Sequence, residues 1–319
     1  MFAICIESSH QKGMGHFYRM INFIECLKEN NEKFIVLIND DKTSLSLLCD
    51  KNLPFHTVNF SNDTTKWETE IIQKYGVDIW LNDRMETSID HAINIQENNI
   101  LLITFDDLGG GAELSNLHFA AMPCIFNNDP KGGKIYSGIE YLILNSEINK
   151  CKRQRNIYNK LLVTLGGSDT YGVTGEVIKT LKGLMIPTDV IIGPSFINAT
   201  ELNSLLCDTI KVKTHVPSLI KEFINYDIAI TGGGITPFEA NASGLPCIII
   251  ANEPHEVENA EFLSKLGSSV FAGFHDNINT NLFCMTQEIS KMSEIGLSSF
   301  NTNASERIYS IIKDALYAR

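Results

Sequence analysis

No two cysteines are spaced as CxxC, and none of the eight (Cys5, Cys26, Cys49, Cys124, Cys151, Cys207, Cys247 and Cys284) is paired with a histidine at metal-ligand spacing. Neither a thiolate metal site nor a dithiol redox centre is therefore written in the chain. Several cysteines lie in apolar runs such as "AICI" and "PCIII", which reads as buried reduced thiols in a cytoplasmic protein. Positive charge is also short. Lys and Arg number 26 against 38 Asp and Glu, a net charge of −12, so no nucleic-acid partner and no broad binding to a membrane surface are expected. The longest apolar stretches are far too short to span a bilayer, and "MFAICIESSHQKG" has no basic n-region, so no membrane insertion is expected either. Short-period repeats and low-complexity tracts are missing. No DxD with flanking turn residues calls for a metal-held diphosphate, and neither a metal nor a cofactor is expected.

What the chain does contain is alternation. Its 319 residues suit two domains of roughly 150 residues each. Short runs rich in Val, Ile and Leu recur at 2–6, 33–38, 55–60, 77–82, 99–105 and 117–122, with amphipathic segments between them. In "HFYRMINFIECLKENN" the residues Phe17, Met20, Ile21, Ile24 and Leu27 share one helical face. The pattern restarts at 160–165, 188–193, 209–213, 226–231 and 246–251, and a last helix over 304–319 aligns Ile308, Ile311, Ile312 and Leu316. This is the pattern of parallel sheets covered by helices on both faces. The reading is α/β, with two doubly wound domains, 1–150 and 151–319, facing each other across a cleft. The polar, basic stretch 145–160 serves as their linker. In such sheets ligands bind at the carboxyl ends of the strands, so the loops there are the places to search.

The first such loop reads "QKGMGHFYRM". Gly13 and Gly15 suggest a dinucleotide turn, with Asp40 or Asp41 as the ribose acid, but Tyr18 occupies the place of the third glycine. The polar trio His16, Tyr18 and Arg19 suits that turn poorly. A histidine at a helix start is suited to proton transfer, because the helix N-terminus favours its neutral form. Position alone leaves a catalytic base and a solvent-bonded histidine equally open. Two further glycine turns follow strands in the second half. One is Gly166-Gly167-Ser168-Asp169. The other is Gly232-Gly233-Gly234, with Thr236 opening a helix and Glu239 in its first turns. Both expose backbone amides at a helix N-terminus, as a diphosphate cradle does, and Glu239 is placed to accept hydrogen bonds from a ribose. "ANEPHEVENAEF" adds Asn252, His255, Glu256 and Asn259 at another strand end. Strand ends also carry Asn82, Asp83 and Arg84, and Asp106 and Asp107, the latter equally readable as a turn residue.

The order GxGHxxR, a strand ending in Asp-Arg, "FDD", "LGGSD" and "TGGGITPFEANASGLPCIII" resembles the UDP-sugar hydrolase of the pseudaminic acid pathway and the related spore-coat polysaccharide proteins. The stretch "GGGITPFEANASGLP…HEVENA" also looks like the N-acetylglucosaminyltransferase that makes lipid II. The resemblance implies the GT-B architecture of two Rossmann-like domains with a UDP-sugar as ligand. It implies a catalytic His16 acting as general base on water, with Asp83 as an acid supporting the sugar. Substrate binding is expected of Gly13, Gly15, Arg19, Arg84 and Asp107, and the resemblance implies nucleotide contacts in the region of Gly166, Gly167, Ser168, Gly233, Ile235, Thr236 and Glu239, with His255 and Asn259 as further substrate-binding candidates. The reaction it implies is hydrolysis of UDP-2,4-diacetamido-2,4,6-trideoxy-β-L-altropyranose with inversion. The alternative on the same architecture is an inverting glycosyltransferase. Two positions depart from the hydrolase pattern: Met85 stands where that family has a tyrosine, and His255 where it has a polar amide residue.

Overall fold

The structure is a computed structural model describing residues 1–8, 14–60, 66–166, 169, 171–193, 196, 202, 205–214, 216–284 and 288–319. Gly13, Gly167 and Ser168, expected at the site, lie outside the described residues. The chain divides into two units, residues 1–143 with 303–319, and residues 144–302.

The first unit alternates β1 (Phe2–Ile6), α1 (Gly15–Glu29), β2 (Phe34–Ile38), α2 (Lys42–Asp50), β3 (Phe55–Thr57), α3 (Trp67–Tyr75), β4 (Ile79–Asp83), α4 (Ile89–Glu97) and β5 (Leu101–Phe105). It continues through β6 (Leu117–Ala120), α5 (Pro123–Phe126) and β7 (Lys134–Ser137). The strands form one parallel sheet in the order β3-β2-β1-β4-β5-β6-β7. Alternation of side chains splits the core in two. Ile4, Ile6, Ile79, Leu81, Ile103 and Phe105 pack against Phe17, Met20, Phe23, Ile24 and Leu27 of α1. Ala3, Cys5, Trp80 and Leu102 pack against Ile71 and Ile72 of α3 and Ala92 and Ile95 of α4.

The second unit contains β8 (Leu161–Thr164), α6 (Val173–Leu181), β9 (Thr188–Ile191), β10 (Ile210–Lys213), β11 (Ile228–Thr231), β12 (Cys247–Ala251), β13 (Ser269–Phe274) and β14 (Asn277–Ile278). Their order is β10-β9-β8-β11-β12-β13-β14, and β14 alone runs antiparallel to its neighbour. Helices Thr236–Ala242 and Pro254–Leu266 follow β11 and β12.

Two expectations about the domains are corrected. The helix Ala304–Tyr317 belongs to the first unit, not the second. Its Ala304, Ile308 and Ile312 enter the α1-side core, and Tyr309 and Lys313 both donate to Glu32 Oε1 at 2.8 Å. An apolar stripe goes to whichever face can bury it, and sequence order does not choose that face. The basic stretch 145–160 is not a free linker. The Arg155 side chain is fully buried, donating to the carbonyls of Arg153 (2.7 Å), Phe223 (2.8 Å), Tyr226 (3.3 Å) and Ser243. Burial lowers its pKa to about 9. The thiols also divide: Cys5, Cys26, Cys151 and Cys247 are buried, but Cys49, Cys207 and Cys284 are exposed. Among the described residues no helix is long and apolar enough to cross a membrane.

Candidate active site

In the first unit, Asp83 ends β4 beside Ile6 of β1. The same alternation that turns Ile79 and Leu81 toward α1 turns Asp83 there as well. His16 and Arg19, three residues apart in the first turns of α1, meet it. His16 Nδ1 lies 2.6 Å from Asp83 Oδ1. Arg19 Nε donates to Asp83 Oδ2 at 2.9 Å, and its Nη2 donates to Oδ1. Arg19 Nη1 donates to Asp106 Oδ2, while Asp106 Oδ1 accepts from the backbone N–H groups of Ala121 (2.7 Å) and Met122 (3.0 Å). The result is a chain of four groups, Asp106–Arg19–Asp83–His16.

The Asp83 side chain is fully buried. Burial pushes its carboxyl up, but the charges and hydrogen bonds of Arg19 and His16 outweigh that and hold it below the usual carboxylate range. An ionised carboxylate only accepts hydrogen bonds, so Nδ1 of His16 carries a proton, and in the neutral imidazole it is Nε2 that holds the lone pair. The His16 side chain is 21% exposed, so a small molecule can reach it. This corrects the part expected of Asp83. With no exposed surface and its oxygens held by Arg19 and His16, it presents no oxygen to a sugar and holds His16 instead.

The remaining first-unit residues separate by what they touch. Arg19 is held between two carboxylates and has no edge free for a sugar, against expectation. Asp107 is likewise corrected. Its carboxylate accepts from Thr87 N at 3.0 Å, Thr87 Oγ1 and Gly109 N at 2.9 Å, so it ties two loops together. Of the two strand-end aspartates, Asp106 is the one that meets Arg19. Its φ of +45° leaves the strand pleat, so counting alternation from β5 points to the wrong aspartate. Asn82 faces away from the site. It accepts from Trp80 Nε1 at 2.9 Å and lies 3.2 Å from Nε2 of His91, whose Nδ1 is 2.7 Å from Glu68. Asp41 caps α2 by accepting from Ser44 N at 2.9 Å, so it does not serve as a ribose acid. Arg84 is buried, with its guanidinium 4.4 Å over the Phe60 ring and 3.6 Å from Glu7. Gly15 opens α1, and a Cβ there would meet nothing within 4 Å.

In the second unit, Gly166 follows β8 with φ +103°, a conformation that favours glycine. After β11, a Cβ on Gly233 would stand 2.6 Å from the Glu256 carbonyl oxygen, so only glycine fits there. The turn is braced from helix Pro254–Leu266. Glu256 Oε2 accepts from Gly233 N (3.2 Å) and Asn252 N (2.8 Å), and Asn259 Nδ2 donates to the Gly233 carbonyl at 3.0 Å. Asn259 is buried in this brace, which corrects its expected role as a ligand contact. His255 is exposed, and Ile235 and Thr236 are partly exposed at the start of helix Thr236–Ala242. Glu239 has no side-chain hydrogen bond among the described residues. Part of it reaches solvent, yet its dense surroundings push its pKa up to about 7. Among the described residues no cluster of three or more His, Cys, Asp or Glu is arranged to hold a metal ion.

Two parallel-dominated Rossmann-like sheets of seven strands define the GT-B glycosyltransferase fold. MurG of Acinetobacter baumannii superposes with a TM-score of 0.74, at 14% identity, covering 98% of this chain and 99% of that one. HepE of Anabaena, crystallised with UDP, superposes with a TM-score of 0.68, at 13% identity, covering 98% and 100%. By sequence, the chain is 28% identical over 296 residues to an uncharacterized protein of Methanocaldococcus jannaschii, covering 84% of this chain. It spans 59% of the length of that longer relative. It is also 21% identical over 289 residues to the spore coat polysaccharide biosynthesis protein SpsG of Bacillus subtilis, covering 85% of this chain and 83% of SpsG. No family model matches the chain.

Proposed function

We propose that this protein cleaves a UDP-activated amino sugar at its anomeric carbon, with His16 Nε2 as the general base. The observation that carries the reading is the His16–Asp83 pair, an accessible imidazole whose tautomer is set by a buried, ionised carboxylate. Nε2 takes a proton from water, the water oxygen bonds to the anomeric carbon, and the bond from that carbon to the diphosphate oxygen breaks. UDP leaves with the electron pair, and inversion follows from attack on the opposite face. A positioned base of this kind contributes typically about 10²–10⁴-fold.

The nucleotide is assigned to the second unit. The glycine-rich sequence Gly166-Gly167-Ser168 after β8, and the amides of Ile235 and Thr236 at a helix start, suit a diphosphate, while the Gly233 amide is held by Glu256. Glu239, without a hydrogen-bonding partner among the described residues, suits the ribose hydroxyls. The UDP in HepE supports this assignment, and the sequence resemblance supports 2,4-diacetamido-2,4,6-trideoxy sugars as the substrate class. The second reading keeps the same base and replaces water by an acceptor hydroxyl. The polysaccharide biosynthesis role in the name of SpsG and the MurG-like fold favour it.

The test is UDP release from a panel of UDP-amino sugars without any acceptor, beside His16→Asn. The hydrolase reading expects release that falls by two to four orders of magnitude in the variant, with UDP affinity unchanged by calorimetry. Release only after a sugar acceptor is added selects the transferase. Full turnover by His16→Asn refutes the base assignment in both.

A further inference from the structure

Among the described residues three guanidinium groups are buried, and in two of them every nitrogen donates a hydrogen bond. Arg19 lies between the carboxylates of Asp83 and Asp106, and Arg155 donates to four backbone carbonyls. Arg84 differs. Its side chain is 10% exposed and, among the described residues, its buried Nε has no hydrogen-bond partner and its one ion pair, to Glu7 Oε2, is loose at 3.6 Å. One flat face is covered by the Phe60 ring, 4.4 Å from the guanidinium carbon. Stacking of that kind fixes the plane of the group and leaves its edge, which carries the five N–H donors, to find acceptors. Buried donors are ordinarily satisfied, and a cation is the group least easily left without them.

The position of Arg84 says where those acceptors come from. Arg84 follows Asp83 at the carboxyl end of β4, and Glu7 follows Ile6 at the end of β1, which is paired with Asp83. Strand alternation turns Arg84 to the face of Asn82, opposite to Asp83, so the underused guanidinium lies on the Cys5 and His91 side of the carboxyl edge of the sheet, the edge where ligands of such folds enter. We infer that Arg84 is an anion-binding subsite at that edge, and that the molecule taken up by the first unit carries a carboxylate or a phosphate. The planar fork matches either group in a two-point contact, displacing the loose pair with Glu7. The inference deepens the glycosyl-transfer reading and rests on it for which molecule bears the anion. A carboxylate is the mark of a uronic-acid sugar, and a phosphate that of a phosphorylated acceptor.

The test uses the full chain saturated with UDP, so that the glycine turns of the second unit are filled. Inorganic phosphate is titrated and followed by ³¹P line broadening, and glucuronate by saturation-transfer ¹H spectra. Wild type is compared with Arg84→Met, Arg84→Lys and Glu7→Gln. The expected result is binding of at least one anion, weakened about tenfold or more in Arg84→Met, less in Arg84→Lys, and strengthened in Glu7→Gln as the competing carboxylate disappears. Preference for glucuronate assigns the uronic-acid source, and preference for phosphate the phosphorylated one. Wild-type affinity in Arg84→Met, or no binding of either anion to the wild type, overturns the subsite. Should Arg84→Met fail to fold, an unchanged affinity in Glu7→Gln overturns it alone. Failure of UDP itself to bind counts against the nucleotide reading, and the dependence of anion binding on Arg84 is still read from the same titrations.

Discussion

At the scale of single residues, each member of the Asp106–Arg19–Asp83–His16 chain fixes the next. Backbone amides hold Asp106, Asp106 and Asp83 together hold Arg19, and Arg19 with Asp83 leaves His16 one tautomer. Asp83→Asn removes the charge that selects the tautomer, so turnover falls and its pH profile shifts while KM changes little. Asp106→Asn shifts the profile in the same direction by a smaller amount, because Arg19 keeps its contact with Asp83. Asp107→Asn is the contrast. It loosens the tie to Thr87 and lowers the melting temperature but leaves the pH profile in place. Equal pH profiles for the Asp106 and Asp107 variants would mean that Asp106 does not act through Arg19.

At the scale of elements, the two faces of the first sheet behave differently. The α3/α4 face encloses His91, stacked on Trp67 and close to Glu68. Burial holds His91 below its ordinary 6.5, although the hydrogen bond and charge of Glu68 pull the other way. Burial also lowers the pKa of His118. A depressed histidine stays neutral in the fold while the unfolded chain takes up a proton, so its stability contribution is present above about pH 6.5 and is lost on acidification. The urea midpoint is expected to fall between pH 7.5 and 5.5, and less steeply in His91→Gln. A flat profile in the wild type would contradict this. The α1 face depends on the C-terminal helix. Ile308→Ala removes a fully buried side chain and is expected to cost about 2–5 kcal/mol. Both tryptophans, Trp67 and Trp80, lie in the first unit. An earlier unfolding transition in tryptophan fluorescence is therefore the readout, and an unmoved transition would detach the helix from that unit.

At the scale of the whole molecule, the proposed work divides by unit, with proton removal in the first and the nucleotide in the second. The two jobs should then titrate separately. Glu239, raised to about 7 by burial, accepts ribose hydrogen bonds best when ionised. UDP affinity is expected to weaken as pH falls through about 7, with Glu239→Gln weaker throughout and insensitive to pH. His16→Asn should leave this titration untouched. A UDP affinity independent of pH in the wild type would remove Glu239 from the ribose.

Local pattern was enough for the repeating strands and helices, the glycine turn after β11 and His16 at its helix start. Period-two and period-3.6 spacing is written in neighbouring residues and needs no knowledge of distant ones. The alternation also placed Asp83 on a strand end. What the sequence could not decide was partnership across long separations. The C-terminal helix returns to the first unit because α1 and its sheet offer the apolar face its stripe requires, and nothing local says so. Asp106 instead of Asp107 meets Arg19 because one residue adopts a left-handed φ and breaks the parity of the strand. Asp83 became the orienting group for an imidazole only when the fold brought positions 67 residues apart to within 2.6 Å and closed them off from water.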